Sequence, residues 1–191
     1  MLENSKQIVV VGAGIGGLTT ALCLKHFGLN ASVYERSNGV TTAGAGIQLS
    51  PNANRVFSYL GLFDEVSALS RRCKGIKVFD YKSNSQLALF DYMKFKQDAA
   101  FLFCHRADLV GILYAACKKL KIPIHFDKKL ENIKNGEVIF SDGNVYSADI
   151  IVGADGLHSN VRKALFDEET PIFSRQIAWR SIVPNSINQD D

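Results

Sequence analysis

Gly12, Gly14 and Gly17 form the pattern G-x-G-x-x-G, directly after the apolar run Ile8 to Val11 and at the start of a stretch with helical spacing. Each has a physical task if a dinucleotide is to be held: the first permits a tight turn, the second lets backbone approach a pyrophosphate, the third lets helix and strand pack closely. The helix that opens there adds N–H groups and a partial positive charge for the anion. Glu35 closes the next apolar run about twenty residues on, where a carboxylate accepts hydrogen bonds from ribose hydroxyls and repels a 2′-phosphate. The competing reading, a plain glycine turn with one more solvated acid, leaves that strand-turn-helix-strand context unexplained. The fingerprint is shared by NAD and FAD folds and does not choose between them.

These residues need elements to position them. Ile8 to Val11 reads as a strand buried on both faces, which belongs inside a parallel sheet. Gly17 to Phe27 takes helical spacing, with Gly28 placed as a C-terminal cap, and Ala31 to Glu35 reads as a second strand, completing a βαβ unit. Asn38 to Pro51 is small and polar enough to predict a loop. Asn52 to Ser70 predicts one helical stretch, and Gly75 to Phe103 predicts antiparallel strands that start a second sheet. Ala107 to Leu120 predicts an amphipathic helix with Leu109, Ile112, Leu113, Ala116 and Leu120 inward, ended by Pro123. Ile124 to Phe126 and alternating segments around Leu130, Ile133, Val138 and Phe140 follow, with Asp142-Gly143 as a hairpin turn. Ile150 to Ala154 returns to the parallel sheet, and Asp155 caps a helix spanning Leu157 to Leu165.

Composition narrows the class. The 191 residues are 47% apolar and 21% charged, which fits a folded protein and not a disordered tail. A net charge of +3 from 22 basic and 19 acidic residues is too even for a nucleic-acid binder. Cys23, Cys73, Cys104 and Cys117 stand apart, without C-x-x-C and without a matching histidine cluster, so no metal site and no disulfide framework are expected. The apolar stretch Ile8 to Leu24 is interrupted by four glycines and predicts neither a signal peptide nor a membrane span. The reading is a cytoplasmic protein that binds neither membrane nor nucleic acid.

Four motifs occur together: Val9 to Leu24, Gly44 to Ala53 (GAGIQLSPNA), His105-Arg106-Ala107-Asp108-Leu109, and Gly153-Ala154-Asp155-Gly156 followed by Ser159 and Arg162. In this order they resemble the FAD-dependent aromatic-ring hydroxylases, in particular the salicylate hydroxylase-like flavoprotein monooxygenases. The resemblance implies an α/β fold: a Rossmann-like FAD-binding domain with a parallel sheet and β-meander, plus the first strands of an antiparallel substrate domain. The expected division is 1–72 with 104–170 for the FAD-binding domain, and 73–103 with 171–191 for part of the substrate domain.

What the resemblance implies for chemistry is FAD as cofactor, NAD(P)H as reductant, O₂ as co-substrate and hydroxylation of a small aromatic substrate. It implies cofactor contacts at Gly12, Ala13, Gly14, Ile15, Gly16, Gly17, Glu35, Arg36, Ala45, Gly46, Arg106, Leu130 and Asp155. Arg106 would contact FAD, Asp155 would lie by the pyrophosphate with Arg162 adding positive charge, and Gly44 to Ile47 would pass the flavin ring. Arg180, in Ala178-Trp179-Arg180-Ser181, is the one catalytic candidate; no general base or nucleophile is named. Family members are considerably longer, so the chain is expected to be the front portion of such an enzyme. Its strands near 76–103 and 172–183 would then expose apolar faces. A homodimer or a separately supplied C-terminal half are the partners this allows, and a non-catalytic FAD-binding or assembly module is the rival reading. Tyr-x-x-x-Lys spacings at Tyr92 and Lys96 and at Tyr114 and Lys118 fit a short nicotinamide-dependent reductase, but Tyr114 to Lys118, which lies on a helix, lacks the upstream serine.

Overall fold

The computed structural model of the protein describes residues 6–40, 44–95, 100–166 and 171–179. The chain opens with β1 (Ile8–Val11), α1 (Ile15–His26) and β2 (Ala31–Tyr34), the βαβ start expected from the glycine pattern. Gly28 takes φ +77° and donates its N–H to Lys25 O, so a residue without a Cβ closes α1 as its position suggested. Then come β3 (Gly46–Leu49), α2 (Pro51–Tyr59), α3 (Phe63–Ala68) and β4 (Ser70–Arg72). A hairpin of β5 (Gly75–Phe79) and β6 (Gln86–Asp91) leads through α4 (Tyr92–Phe95) to β7 (Leu102–His105) and the long α5 (Arg106–Lys119). The remainder is β8 (Ile124–His125), β9 (Leu130–Lys134), β10 (Glu137–Phe140), β11 (Val145–Ser147), β12 (Ile150–Gly153) and α6 (Asn160–Leu165).

The central sheet has the order β12-β1-β2-β8 with every pairing parallel. Because β1 lies between two neighbours and both faces are covered, all four of its residues are buried, which is why its sequence is an unbroken apolar run. Successive side chains point to opposite faces. Ile8 and Val10 pack with Leu18 and Leu22 of α1 and Leu109 and Leu113 of α5, whereas Val9 and Val11 pack with Val138 and Phe140 of an antiparallel meander, β11-β10-β9. Burying each such side chain contributes roughly 1.5–3 kcal/mol. Tyr34, at the end of β2, is stacked between His125 and Phe140 and clamps the meander to the sheet.

Several expectations need correction. Residues 38–51 are not all loop: β3 pairs antiparallel with β7, which pairs in turn with β4, so hydrogen bonds to a distant strand order a glycine-rich segment. Residues 52–70 form two helices and a strand, broken where Gly61 adopts φ +69°. In α5 the buried set includes Val110 and Cys117, while Leu120 follows the last helical residue and is exposed. The last helix starts at Asn160, not Leu157, and Ser159 is its N-cap. Gly143 makes its turn as expected, but Asn135 and Gly136, both at positive φ, form a second hairpin turn that the sequence reading passed over. Residues 171–179 carry no strand, and Arg180 and Ser181 lie outside the described residues. No helix among the described residues is long and apolar enough to cross a membrane.

Candidate functional site

A cleft opens at the carboxyl ends of β1, β2 and β12, the edge at which parallel α/β sheets bind ligands. Its floor is built by close backbone approach. A Cβ on Gly17 would stand 1.8 Å from Gly12 O, and one on Gly12, at φ +106°, would stand 2.4 Å from Ala154 O. These two glycines let the β1–α1 turn, the first turn of α1 and the end of β12 touch. Gly14 differs: a Cβ there would meet nothing within 4 Å. It faces open space at the N-terminus of α1, which has no side-chain cap and no acid in its first turn. The amides of that turn are thus available to an anionic ligand.

Glu35 lies just past β2 and faces the same cleft. Its carboxylate accepts from Ala13 N (2.7 Å) and Ser37 N (2.9 Å), which fixes its direction while leaving acceptor capacity on both oxygens. Arg106 enters from the head of α5, with its stem folded over Gly44: a Cβ on Gly44, at φ +156°, would stand 3.0 Å from Arg106 Cβ and Cδ. Ala45 O accepts from Arg106 N at 3.2 Å. Asp155 follows β12, and its Oδ1 accepts from Ser159 Oγ while its Oδ2 accepts from Asn160 N and Val161 N. Asp155 therefore secures the start of α6. The helix amides and the Ser159 hydroxyl hold its charge. Arg162, expected to do so, instead donates to Leu157 O and does not line the cleft.

Of the residues singled out from sequence, Gly12, Ala13, Gly14, Glu35, Arg36, Arg106, Leu130 and Asp155 line this one cleft. Ile15, Gly16 and Gly17 form the first turn of α1 behind it, and Ala45 and Gly46 sit beside Arg106 through the β3–β7 pairing without lining it. Arg180 is outside the described residues. Sequence reasoning missed Ser37, Lys128, Lys129, His158 and Asn160, which also line the cleft. Asn160 Nδ2 donates to Leu130 O at 2.7 Å, tying α6 to β9 across it. Only the clustering of Asn160 with Asp155 and Ser159 after the strand hinted at its place; Lys128 and Lys129 read as ordinary surface charge.

Lys128 is bound to the segment after Glu35 by backbone: Lys128 N donates to Glu35 O at 2.8 Å, and Asp127 N to Ser37 O at 3.0 Å. Its ammonium pairs with Asp142 of the β10–β11 turn. The hydrogen bond from Lys128 draws the Asp142 carboxyl down to about 2, helped by Asn144, and the same bond pushes the Lys128 ammonium up. Burial pushes the Tyr34 phenol up, so it stays neutral beneath the cleft. The donor set fits an anionic dinucleotide: uncapped amides beside an open Gly14, the Arg36, Arg106 and Lys129 cations, and a carboxylate with free lone pairs.

Residues 5–189 match the family described as "FAD binding domain". The chain is 33% identical to the 3-amino-4-hydroxybenzoate 2-monooxygenase of Streptomyces cremeus, over 98% of this chain and 48% of that protein. It is 31% identical to the 3-hydroxybenzoate 6-hydroxylase 1 of Aquipseudomonas alcaligenes, over 93% and 47%. Among solved structures, 2-methyl-3-hydroxypyridine-5-carboxylic acid oxygenase superposes with a TM-score of 0.75 at 28% identity, covering 84% of this chain and 42% of its own. The chain spans about half the length of the curated relatives it matches.

Two outcomes test this geometry. Gly17→Ala should lose about 3 kcal/mol or more in urea unfolding, because its Cβ meets backbone, whereas Gly14→Ala should lose no more than about 1 kcal/mol, the cost of alanine at an N-cap; equal losses would mean that Gly14 does not face open space. The folded-state pKa of Asp142 is depressed, so its stabilisation is complete above the ordinary carboxylate range and is lost as pH falls towards about 2. The stability gap between wild type and Asp142→Asn should therefore narrow between about pH 5 and pH 2 in denaturant titrations, and a gap constant over that window would contradict the pairing.

Proposed function

Since this chain belongs to the FAD binding domain family, as the flavin-binding domain of aromatic-ring monooxygenases, we propose that it holds FAD in the cleft at the carboxyl edge of its parallel sheet, in an enzyme that hydroxylates a small aromatic substrate. The observation that carries the reading is the convergence of the glycine turn, Glu35, Arg106 and Asp155 on one cleft. When bound, FAD supplies the redox chemistry, taking electrons from NAD(P)H and delivering them to O₂. The chain's own residues bind and orient. Amides of Gly14 and the first turn of α1 receive the pyrophosphate, Glu35 accepts from the adenosine ribose, Arg106 offers a fixed fork of donors, and the α6 amides keep the Asp155 charge from repelling the phosphates. Gly44 gives the Arg106 stem its room, which is how the Gly44 to Gly46 segment serves the site. Arg36 and Leu130 line the ribose side, and Arg180 is a candidate for the substrate pocket. The four free thiols support a cytoplasmic enzyme.

A second feature bears on partners. Val78, Phe79, Leu87, Leu89 and Phe90 of the β5–β6 hairpin are exposed, and the pairing of Val78 with Ala88 and of Lys77 with Leu89 distributes apolar side chains over both faces. That supports a hairpin covered by further polypeptide, either a second copy of this chain or a separately supplied C-terminal half needed for turnover.

Titrating the 191-residue protein with FAD should quench flavin fluorescence with a saturable isotherm; Glu35→Gln should weaken it about tenfold, the scale of one hydrogen bond to a charged group, and Gly14→Ala should also weaken it, because its Cβ would stand in the open space offered to the phosphates. A protein that takes up no FAD would overturn the reading. Light scattering separates the partners: a dimer supports self-association, whereas a monomer that gains substrate-stimulated NAD(P)H oxidation only with an added C-terminal half supports the second arrangement.

A further inference from the structure

The ion pair between Lys128 and Asp142 lies at the border of the cleft, and nothing in the cofactor reading uses it. Lys128 lines the cleft beside Glu35, and the two are joined by the hydrogen bond from Lys128 N to Glu35 O. The Lys128 side chain is 16% exposed, so its aliphatic stem is confined beside the cleft while its ammonium reaches the carboxylate of the neighbouring turn. Two carboxylates line the cleft, Glu35 and Asp155. Asp155 is occupied by Ser159, Asn160 and Val161. Glu35, with one amide on each oxygen, retains lone pairs and is the natural competitor for the ammonium.

What keeps Lys128 from Glu35 is a cage on the meander. Asp142 Oδ1 accepts from Asn144 N at 3.1 Å and its Oδ2 accepts from Asn144 Nδ2 at 2.6 Å, so the carboxylate is fixed before Lys128 reaches it. The ammonium also lies 6.0 Å from the centre of the Tyr146 ring. We propose that Asp142 is a positioning residue for the cofactor: by holding the Lys128 ammonium on the meander, it keeps the Glu35 carboxylate free for the ribose hydroxyls. The inference rests on the FAD reading for its purpose, whereas the Lys128–Asp142 pair and the backbone bond from Lys128 to Glu35 are features of the protein itself.

The test is a double-mutant cycle in the full chain, with FAD and FMN as probes. Asp142→Asn should weaken FAD binding about tenfold in the wild-type background, as expected for withdrawing one hydrogen bond to a charged group, and leave it unchanged in a Lys128→Met background. FMN, which lacks adenosine, should show no penalty in either. Equal FAD losses in both backgrounds would reduce Asp142 to a turn former, and unchanged or tighter FAD binding in Asp142→Asn would also overturn the proposal. A crystal structure of Asp142→Asn gives an answer that needs no cofactor: Lys128 Nζ within ion-pair reach of Glu35 supports the proposal, and Lys128 still at the β10–β11 turn rejects it. Wild type failing to bind FAD defeats the function proposed above, while that crystal structure still decides the role of Asp142.

Discussion

Three backbone segments meet at the cleft with no space for a side chain between them, and the rest of the molecule is arranged around that contact. The carbonyl of Gly12 occupies the place where a Cβ on residue 17 would stand, and the carbonyl of Ala154 blocks residue 12 in the same way. The contact fixes how far α1 lies from β1 and where β12 ends. It also makes the β1–α1 turn a rigid rim, so the amides of α1 keep their direction without a ligand. Gly12 N donates to Tyr34 O at 2.7 Å and Ala154 N to Val11 O at 2.8 Å, which extends the sheet hydrogen bonding beyond the strands and into the turns themselves.

Electrostatics at the cleft follow from that rigidity. Both acids that line the cleft are engaged by backbone amides: Asp155 by those that open α6, Glu35 by Ala13 N and Ser37 N. Tethering directs each carboxylate, because hydrogen bonds from backbone amides fix its plane while lone pairs remain to accept from a ligand. The meander contributes more than a cover for the second face of the sheet. Through Tyr34, stacked on His125 and Phe140, and through the Lys128–Asp142 pair, it links the Glu35 side of the cleft to the second hydrophobic core.

What could be read from the sequence is what local chemistry determines. The β1–α1–β2 unit was legible because the apolar run, the glycines and Gly28 each answer a local requirement, and Glu35 follows from the same unit. The β3 strand was not, since Gly46 to Leu49 is four residues set between glycines and Pro51, and its form depends on pairing with Leu102 to His105, more than fifty residues away. Lys128 was illegible for a related reason: a lysine beside a lysine looks like solvated surface until the strap after β8 is seen to hydrogen-bond to Glu35 and Ser37. Leu120 misled in the opposite sense, because helical spacing was extended one residue past the point where α5 stops. For Asp155 the capping role and the cleft position, both expected from the sequence, coincide in one side chain, and Arg162 turns instead to Leu157 O while helix amides hold the Asp155 charge.

The same distinction accounts for the contrast between the two ends of the chain's apolar surface. In β1, a run without polar residues is matched by cover on both faces, and every residue is buried. In β5 and β6 both faces again carry apolar side chains, here beside Lys77 and Gln86, but Phe79, Leu87, Leu89 and Phe90 stand about half or more exposed. A solitary two-stranded hairpin is at best marginally stable in water, and an exposed strand edge invites pairing. Gly75 shows that this hairpin is nevertheless closely fitted, since a Cβ there would lie 2.4 Å from Phe90 O. The hairpin thus joins a tight internal fit to exposed apolar side chains on both faces. The cleft, by contrast, is assembled from residues of this chain.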